Sequence, residues 1–231
     1  MPGRYYGYYY YDPTYMLIII SALISLFAQF LVNSRFSKYS RVRSRSGMTG
    51  AQAAEHILQS QGIYDVAIQR VSGKLTDHYD PRNKTLNLSD AVYASTSVAA
   101  VGVAAHECGH AVQHQVGYVP IKIRNGIVPI VNVCNTLSMP IFIIGLILGL
   151  GRLAMVGAIL FGAVLVFQLV TLPTEINASR RAMKTLESMY LLEGDELTGA
   201  RKTLTAAAMT YVAAVASTAL QIFKTCFIGK S

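Results

Sequence analysis

The sequence predicts a mainly α membrane protein in which three or four transmembrane helices carry a small α+β domain, and three observations predict it. Of the 231 residues, 52% are apolar and only 14% charged, whereas soluble domains average roughly 45–50% and 25%; mean hydropathy is +0.38. The apolar residues gather in long runs at 16–32, 127–172 and 204–228, with one polar stretch, about 46–125, between the first two. Within that stretch an Ala-rich segment carries histidines at helical spacing. These features exclude disorder of the whole chain. The net charge of +8 admits a polyanion partner on composition alone, so the placement of the charges decides. Cys108, Cys134 and Cys226 are too few and too scattered for a disulfide framework.

Residues 1–34 read as a leader and first transmembrane helix. Positions 16–32, MLIIISALISLFAQFLV, are broken only by Ser and Gln, and Thr14 and Tyr15 extend the run toward the roughly 20 residues a span needs. The leader holds only Arg4 and lacks a small-residue cleavage signature, so the span is expected to be an uncleaved anchor. Tyr5, Tyr6, Tyr8, Tyr9, Tyr10, Tyr11 and Tyr15 suit an interfacial aromatic belt, the alternative being a disordered tail. Arg35, Lys38, Arg41, Arg43 and Arg45 follow with no acid among them. Beside a span, such a run marks lipid headgroups and a cytoplasmic flank, which puts the N-terminus outside and argues against a nucleic-acid partner.

Residues 35–126 are the one part that resembles a soluble domain, and so small a domain is expected to need the membrane helices to complete its core. Thr49 can cap a helix over 50–61 in which Ala53, Ala54, Ile57 and Leu58 share a face, with Gly62 ending it. Val66, Ile68 and Val71 alternate as a strand, and a second strand at 85–88 follows the turn Tyr79-Asp80-Pro81-Arg82-Asn83. A helix then opens at Ser95-Thr96-Ser97. Residues 127–172 are too long for one span and are divided by Gly149-Leu150-Gly151-Arg152, which predicts a hairpin of spans 127–150 and 153–172 with Arg152 at the far surface and possible kinks at Pro129 and Pro140. A helix carrying Glu175 and a polar segment, together 173–203, lead to a C-terminal apolar helix in 204–231. It is read as a fourth span in preference to a surface helix, and its many alanines suit close packing.

The chemistry lies in His106-Glu107-Cys108-Gly109-His110. Histidines four apart stand on one helix face, so both imidazoles can reach one Zn²⁺ at about 2.0–2.1 Å. Glu107, rotated by one residue, can touch a water at the metal without ligating it. The competing reading, a buried polar seam with no metal, leaves costly groups without a partner. His114 lies about 12 Å further along the axis, beyond the same ion, and belongs at the helix end. Residue 116, where metzincin spacing would need a histidine, is Val116. The third ligand is then a carboxylate. Asp77 and Asp80 precede the helix, and Glu187, Glu193, Asp195 and Glu196 sit in the polar segment; Glu175 stands where the third span ends. Two spans separate it from His110, which returns it to the same, cytoplasmic face. The residues alone leave open whether Glu175 is a ligand or an ordinary carboxylate in the first turn of a helix.

The chain resembles the YugP-type neutral zinc metallopeptidases, small bacterial membrane proteins of the broad gluzincin class. The resemblance rests on Ser46-Gly47-Met48-Thr49-Gly50-Ala51, on Gly73-Lys74-Leu75-Thr76-Asp77-His78-Tyr79-Asp80-Pro81-Arg82, and on the Ala-rich run into His106-Glu107-Cys108-Gly109-His110-Ala111-Val112-Gln113-His114. It extends through Leu172-Pro173-Thr174-Glu175, Ala178-Ser179-Arg180-Arg181-Ala182, Gly199-Ala200-Arg201-Lys202 and the Ala/Thr segment 204–214. It implies a zincin-like domain with one zinc held by His106, His110 and Glu175, Glu107 as catalytic base, and hydrolysis of a peptide or protein substrate. Two positions depart from the pattern: Asn177 stands where an acid is expected, and Ser179 where gluzincins often place the aspartate that orients the first histidine. On this reading the strand at 85–88 offers an edge to the substrate, and His78, Tyr79 or Tyr211 can face the oxyanion unless they are simply turn or packing residues. The expected protein is a multi-pass enzyme of the cell membrane, in contact with the lipid bilayer, with its active site on the cytoplasmic face. A proteolytically idle zinc scaffold or chaperone is the main alternative and a transporter the weaker one. Substrate identity and oligomeric state lie beyond the sequence.

Overall fold

The computed structural model describes residues 15–228, and it is mostly helical with a small three-stranded sheet. The tyrosines expected to form an aromatic belt at Tyr5, Tyr6, Tyr8, Tyr9, Tyr10 and Tyr11, with Arg4, lie outside the described residues. Helix α1 spans Tyr15–Tyr39. The basic linker after it is not a free arm: Val98 donates its N–H to Val42 O at 2.8 Å and Ser44 donates to Thr96 O at 2.9 Å, tying the end of α1 to the start of α4.

Helix α2, Gly50–Ser60, begins at a complete capping box: the Thr49 hydroxyl accepts from Gln52 N and Gln52 Oε1 accepts from Thr49 N. It buries Ala53, Ala54, Ile57 and Leu58, the face the spacing predicts. Strands β1 (Ala67–Val71), β2 (His78–Asp80) and β3 (Thr85–Ser89) form a sheet in the order β1-β3-β2, with β1 parallel and β2 antiparallel to β3. The expectation that the strand at 85–88 offers a free edge is therefore corrected, because β3 is hydrogen-bonded on both sides. The edge strands are β1 and β2, and β2, which takes in Tyr79 and Asp80 from the expected turn, is the one whose His78 and Tyr79 border the cavity at His106 and Glu107. A short helix α3, Asp90–Tyr93, leads to α4, Val98–Gln115, whose first turn is capped by Ser97 Oγ accepting from Ala100 N.

Helix α4 is the axis of the core. Its alanines and glycines let neighbours approach closely: a Cβ on Gly109 would lie 2.7 Å from Ala178 O, and one on Gly102 would lie 3.2 Å from Ala200 Cβ. The core around it draws Phe36 and Tyr39 from α1, Leu186 from helix α6 (Gly151–Ser188) and Leu204 from helix α7 (Gly194–Ile228). The polar region thus completes its core with the ends of the membrane helices.

Among the described residues, four helices are long and apolar enough to cross a membrane, over Met16–Tyr39, Val119–Gly145, Gly151–Ser188 and Gly194–Lys224. The second belongs to α5, Val119–Ile147, which continues through Pro129 and Pro140. Helices α5 and α6 form a hairpin that turns at Gly149, with φ +65°, and Arg152 is exposed in the first turn of α6. Helix α1 packs on α7, which in turn contacts α6. The α1/α7 pair is joined by Ser217 Oγ, which donates to Ser21 O at 3.0 Å and lies 3.0 Å from Ser25 Oγ. Helix α6 passes without a break through Pro173. At about 1.5 Å per residue it is some 57 Å long against a hydrocarbon core of about 30 Å, so it can cross the bilayer and still hold Glu175 clear of it.

Candidate metal centre

His106 and His110 project from the same face of α4, their ring centroids 4.8 Å apart and their planes nearly perpendicular. Glu175 comes from α6, which crosses α4 at Gly109. Its Oε2 lies 3.2 Å from His106 Nε2 and 3.5 Å from His110 Nε2. One ligand atom from each of the three residues falls within 4.8 Å of the other two, so the group can hold a metal ion.

The opposite edges of the rings are also fixed. His106 Nδ1 is 3.1 Å from Ser179 Oγ and His110 Nδ1 is 3.0 Å from Gln113 Oε1. Gln113, fully buried, donates from Nε2 to Thr174 O at 2.8 Å and to Asn177 Oδ1 at 2.9 Å. Its Oε1 is left to accept the proton on His110 Nδ1. In the neutral ring, His110 Nε2 then turns a lone pair toward a carboxylate oxygen. Lone pairs meeting in a buried site need a cation between them, and two imidazoles with one carboxylate are a donor set that suits zinc.

Glu107 is buried against the same group, and burial pushes its carboxyl up to about 7, with His106 opposing the shift. It borders two cavities that share His106 and Glu175, His110 lining only the smaller. The smaller, about 110 Å³, is reached by His78, Tyr79, Arg124 and Tyr211; the larger, about 280 Å³, by Gln29, Val32, Ala207 and Tyr211. Arg124 Nη1 lies 3.4 Å from Glu175 Oε1, and its buried Nε has no hydrogen-bond partner.

The other residues considered from the sequence take different places. His114 stays out of the group and meets the Tyr79 hydroxyl through Nδ1 at 3.1 Å. Asp77 borders both cavities but accepts from Ser89 N and Oγ; burial outweighs those bonds and raises its pKa. Asp80 caps its own turn through Arg82 N and Asn83, and the Arg82 N–H holds its carboxyl below the usual range. Glu196 pairs with Arg45 on the other side of the domain. Gln113 and Arg124 were not singled out by sequence reasoning. The available signals were an amide one turn past His110 and a lone arginine at the mouth of a span.

A family model described as "Putative neutral zinc metallopeptidase" matches residues 14–230. The "Putative membrane protease YugP" of Bacillus subtilis (strain 168) is 46% identical over 201 residues, which cover 87% of this chain and 89% of that protein. No solved structure matches the chain. With a family match over nearly its whole length and a relative of this identity, the chain belongs to the family described as "Putative neutral zinc metallopeptidase".

Proposed function

We propose that this chain is a membrane-embedded zinc metalloendopeptidase that cuts peptide bonds of protein substrates at the cytoplasmic face of the cell membrane. The observation that carries the reading is the convergence of His106, His110 and Glu175 on one point, with Glu107 buried beside them. These three residues would hold the zinc. When bound, it supplies Lewis acidity, polarising the scissile carbonyl and making a nearby water more acidic.

The chain's own residues supply the rest. Glu107 accepts the proton that the attacking water loses as its oxygen bonds to the carbonyl carbon. The same carboxyl delivers that proton to the amide nitrogen as the C–N bond breaks. The free edge of β2 is the place for an extended substrate backbone to add as a further strand. Tyr79 commits its hydroxyl to His114, which leaves His78, Arg124 and Tyr211, all at the smaller cavity, as donors for a developing oxyanion. The idle-scaffold alternative draws on Asn177 and Ser179 standing where acids are expected; supporting the peptidase reading, Ser179 Oγ meets His106 Nδ1 and Asn177 Oδ1 accepts from the Gln113 amide that faces His110.

The test is zinc content beside proteolysis, using purified full-length protein and casein. Glu107→Gln is expected to keep its zinc and lose about 10²–10⁴-fold in rate. Glu175→Ala is expected to lose the metal. A zinc-loaded Glu107→Gln protein with wild-type turnover would overturn the mechanism, and wild-type zinc affinity in Glu175→Ala would remove the third ligand.

A further inference from the structure

The larger cavity beside the metal ligands is built by the membrane helices as much as by the polar domain. Gln29 and Val32 reach it from α1, Leu204, Ala207, Ala208 and Thr210 from α7, and it meets His106, Glu107 and Glu175 at its inner end. Gln29 belongs to the run of α1 in which Leu26, Phe27 and Phe30 are each about two-thirds exposed, as lipid-facing residues are. It is itself exposed and has no hydrogen-bond partner. Arg35, the first charge after the span, is six residues on, about 9 Å along the helix, so Gln29 stands near the boundary of hydrocarbon and headgroups. An amide without a partner at that depth is costly.

A peptide must be extended to be cut, and an extended backbone leaving the bilayer exposes N–H and C=O groups that helical structure no longer satisfies. We propose that this chamber receives the substrate as an extended apolar stretch of a membrane protein, drawn in at the hydrocarbon–headgroup boundary. Gln29 hydrogen-bonds its main chain, and Leu204, Ala207 and Ala208 house an apolar side chain next to the scissile bond. The assignment rests on the peptidase reading and adds the substrate class.

The experiment uses the full-length zinc protein in phospholipid vesicles with three synthetic probes: a Leu/Ala span with a leucine-containing juxtamembrane extension, the same peptide with aspartate in place of that leucine, and the extension without the span. The wild type is expected to cut the first at least about tenfold faster than either of the others. Ala207→Phe, which fills the chamber, and Gln29→Leu, which removes the amide and leaves a side chain suited to lipid, are each expected to keep their zinc and slow that cleavage about tenfold or more. Wild-type rates in both zinc-loaded variants, or equal cleavage of the probe without a span, would overturn the proposal. If the wild type cuts nothing, binding to zinc-loaded Glu107→Gln separates the two readings. Binding of the leucine probe that Ala207→Phe abolishes keeps the chamber while the peptidase reading falls, and no binding refutes the chamber.

Discussion

The guanidinium of Arg181 can only donate, so the Asn177 oxygen it meets at 2.9 Å is an acceptor. That oxygen also accepts a hydrogen bond from Gln113 Nε2, and Gln113 Oε1 in turn faces His110 Nδ1. Three side chains thereby set which nitrogen of His110 carries the proton and leave Nε2 bare for a metal. Partners of this kind are worth about 10–100-fold in metal affinity. Gln113→Met is expected to weaken zinc by that factor in a chelator competition, while Asn177→Asp, which keeps both acceptor contacts, is expected to stay near the wild type. Unchanged affinity in Gln113→Met would show that the amide only fills space. At this scale the sequence was informative wherever spacing along one helix decides the geometry, as for His106, His110 and the exclusion of His114. Ser179 was visible as a position, and its hydroxyl does reach His106 Nδ1. Gln113 was not legible, because its meaning lies in Thr174 and Asn177, which only the crossing of two helices brings near.

That crossing is a property of elements, and Gly109 sets it. A side chain there would press on the Ala178 carbonyl, a backbone atom that cannot yield, one helical turn from Glu175 and adjacent to Ser179. Gly109→Ala is expected to push α6 away from α4, destabilising the fold by about 1–3 kcal/mol and weakening zinc binding. Thermal unfolding with and without zinc reads both effects. Gly126→Ala in α5, where the added Cβ meets nothing within 4 Å, is the control and is expected to change neither for the worse. If the two variants behave alike, close approach at Gly109 is not what positions the ligand. Elements with caps and a clear period, α2 and α4, were legible in the sequence. Strand β2 was not, since three residues show no alternation and the strand exists through its ladder with β3. The continuity of α6 was hidden as well. Pro173 and the fall in hydropathy there read as an end, yet the helix runs on to Ser188 because its polar half packs against α4.

Across the whole molecule, most of the positive charges fall at the same ends of the helices as the metal ligands, with Lys224, near the far end of α7, an exception. Arg35 and Lys38 close α1, Lys122 and Arg124 open α5, and Arg180, Arg181 and Lys184 follow Glu175 on α6, whereas the turn between α5 and α6 holds only Arg152. Basic residues stay with the cytoplasmic leaflet, so one orientation accounts for all of these clusters. The prediction from that orientation is that the sheet, α4 and the metal group lie inside and the hairpin turn outside. The prediction is open to single-cysteine labelling with a membrane-impermeant thiol reagent, in a Cys226→Ser background and with the native Cys108 and Cys134 buried. A cysteine replacing Arg152 is expected to react in intact cells. A cysteine replacing Tyr64, which is 80% exposed on the polar domain, is expected to react only in inverted vesicles. The reverse pattern would put the metal group outside, and the charge clusters would then have to be explained by their contacts within the fold, such as Arg124 with Glu175 and Arg181 with Asn177, and not by the membrane.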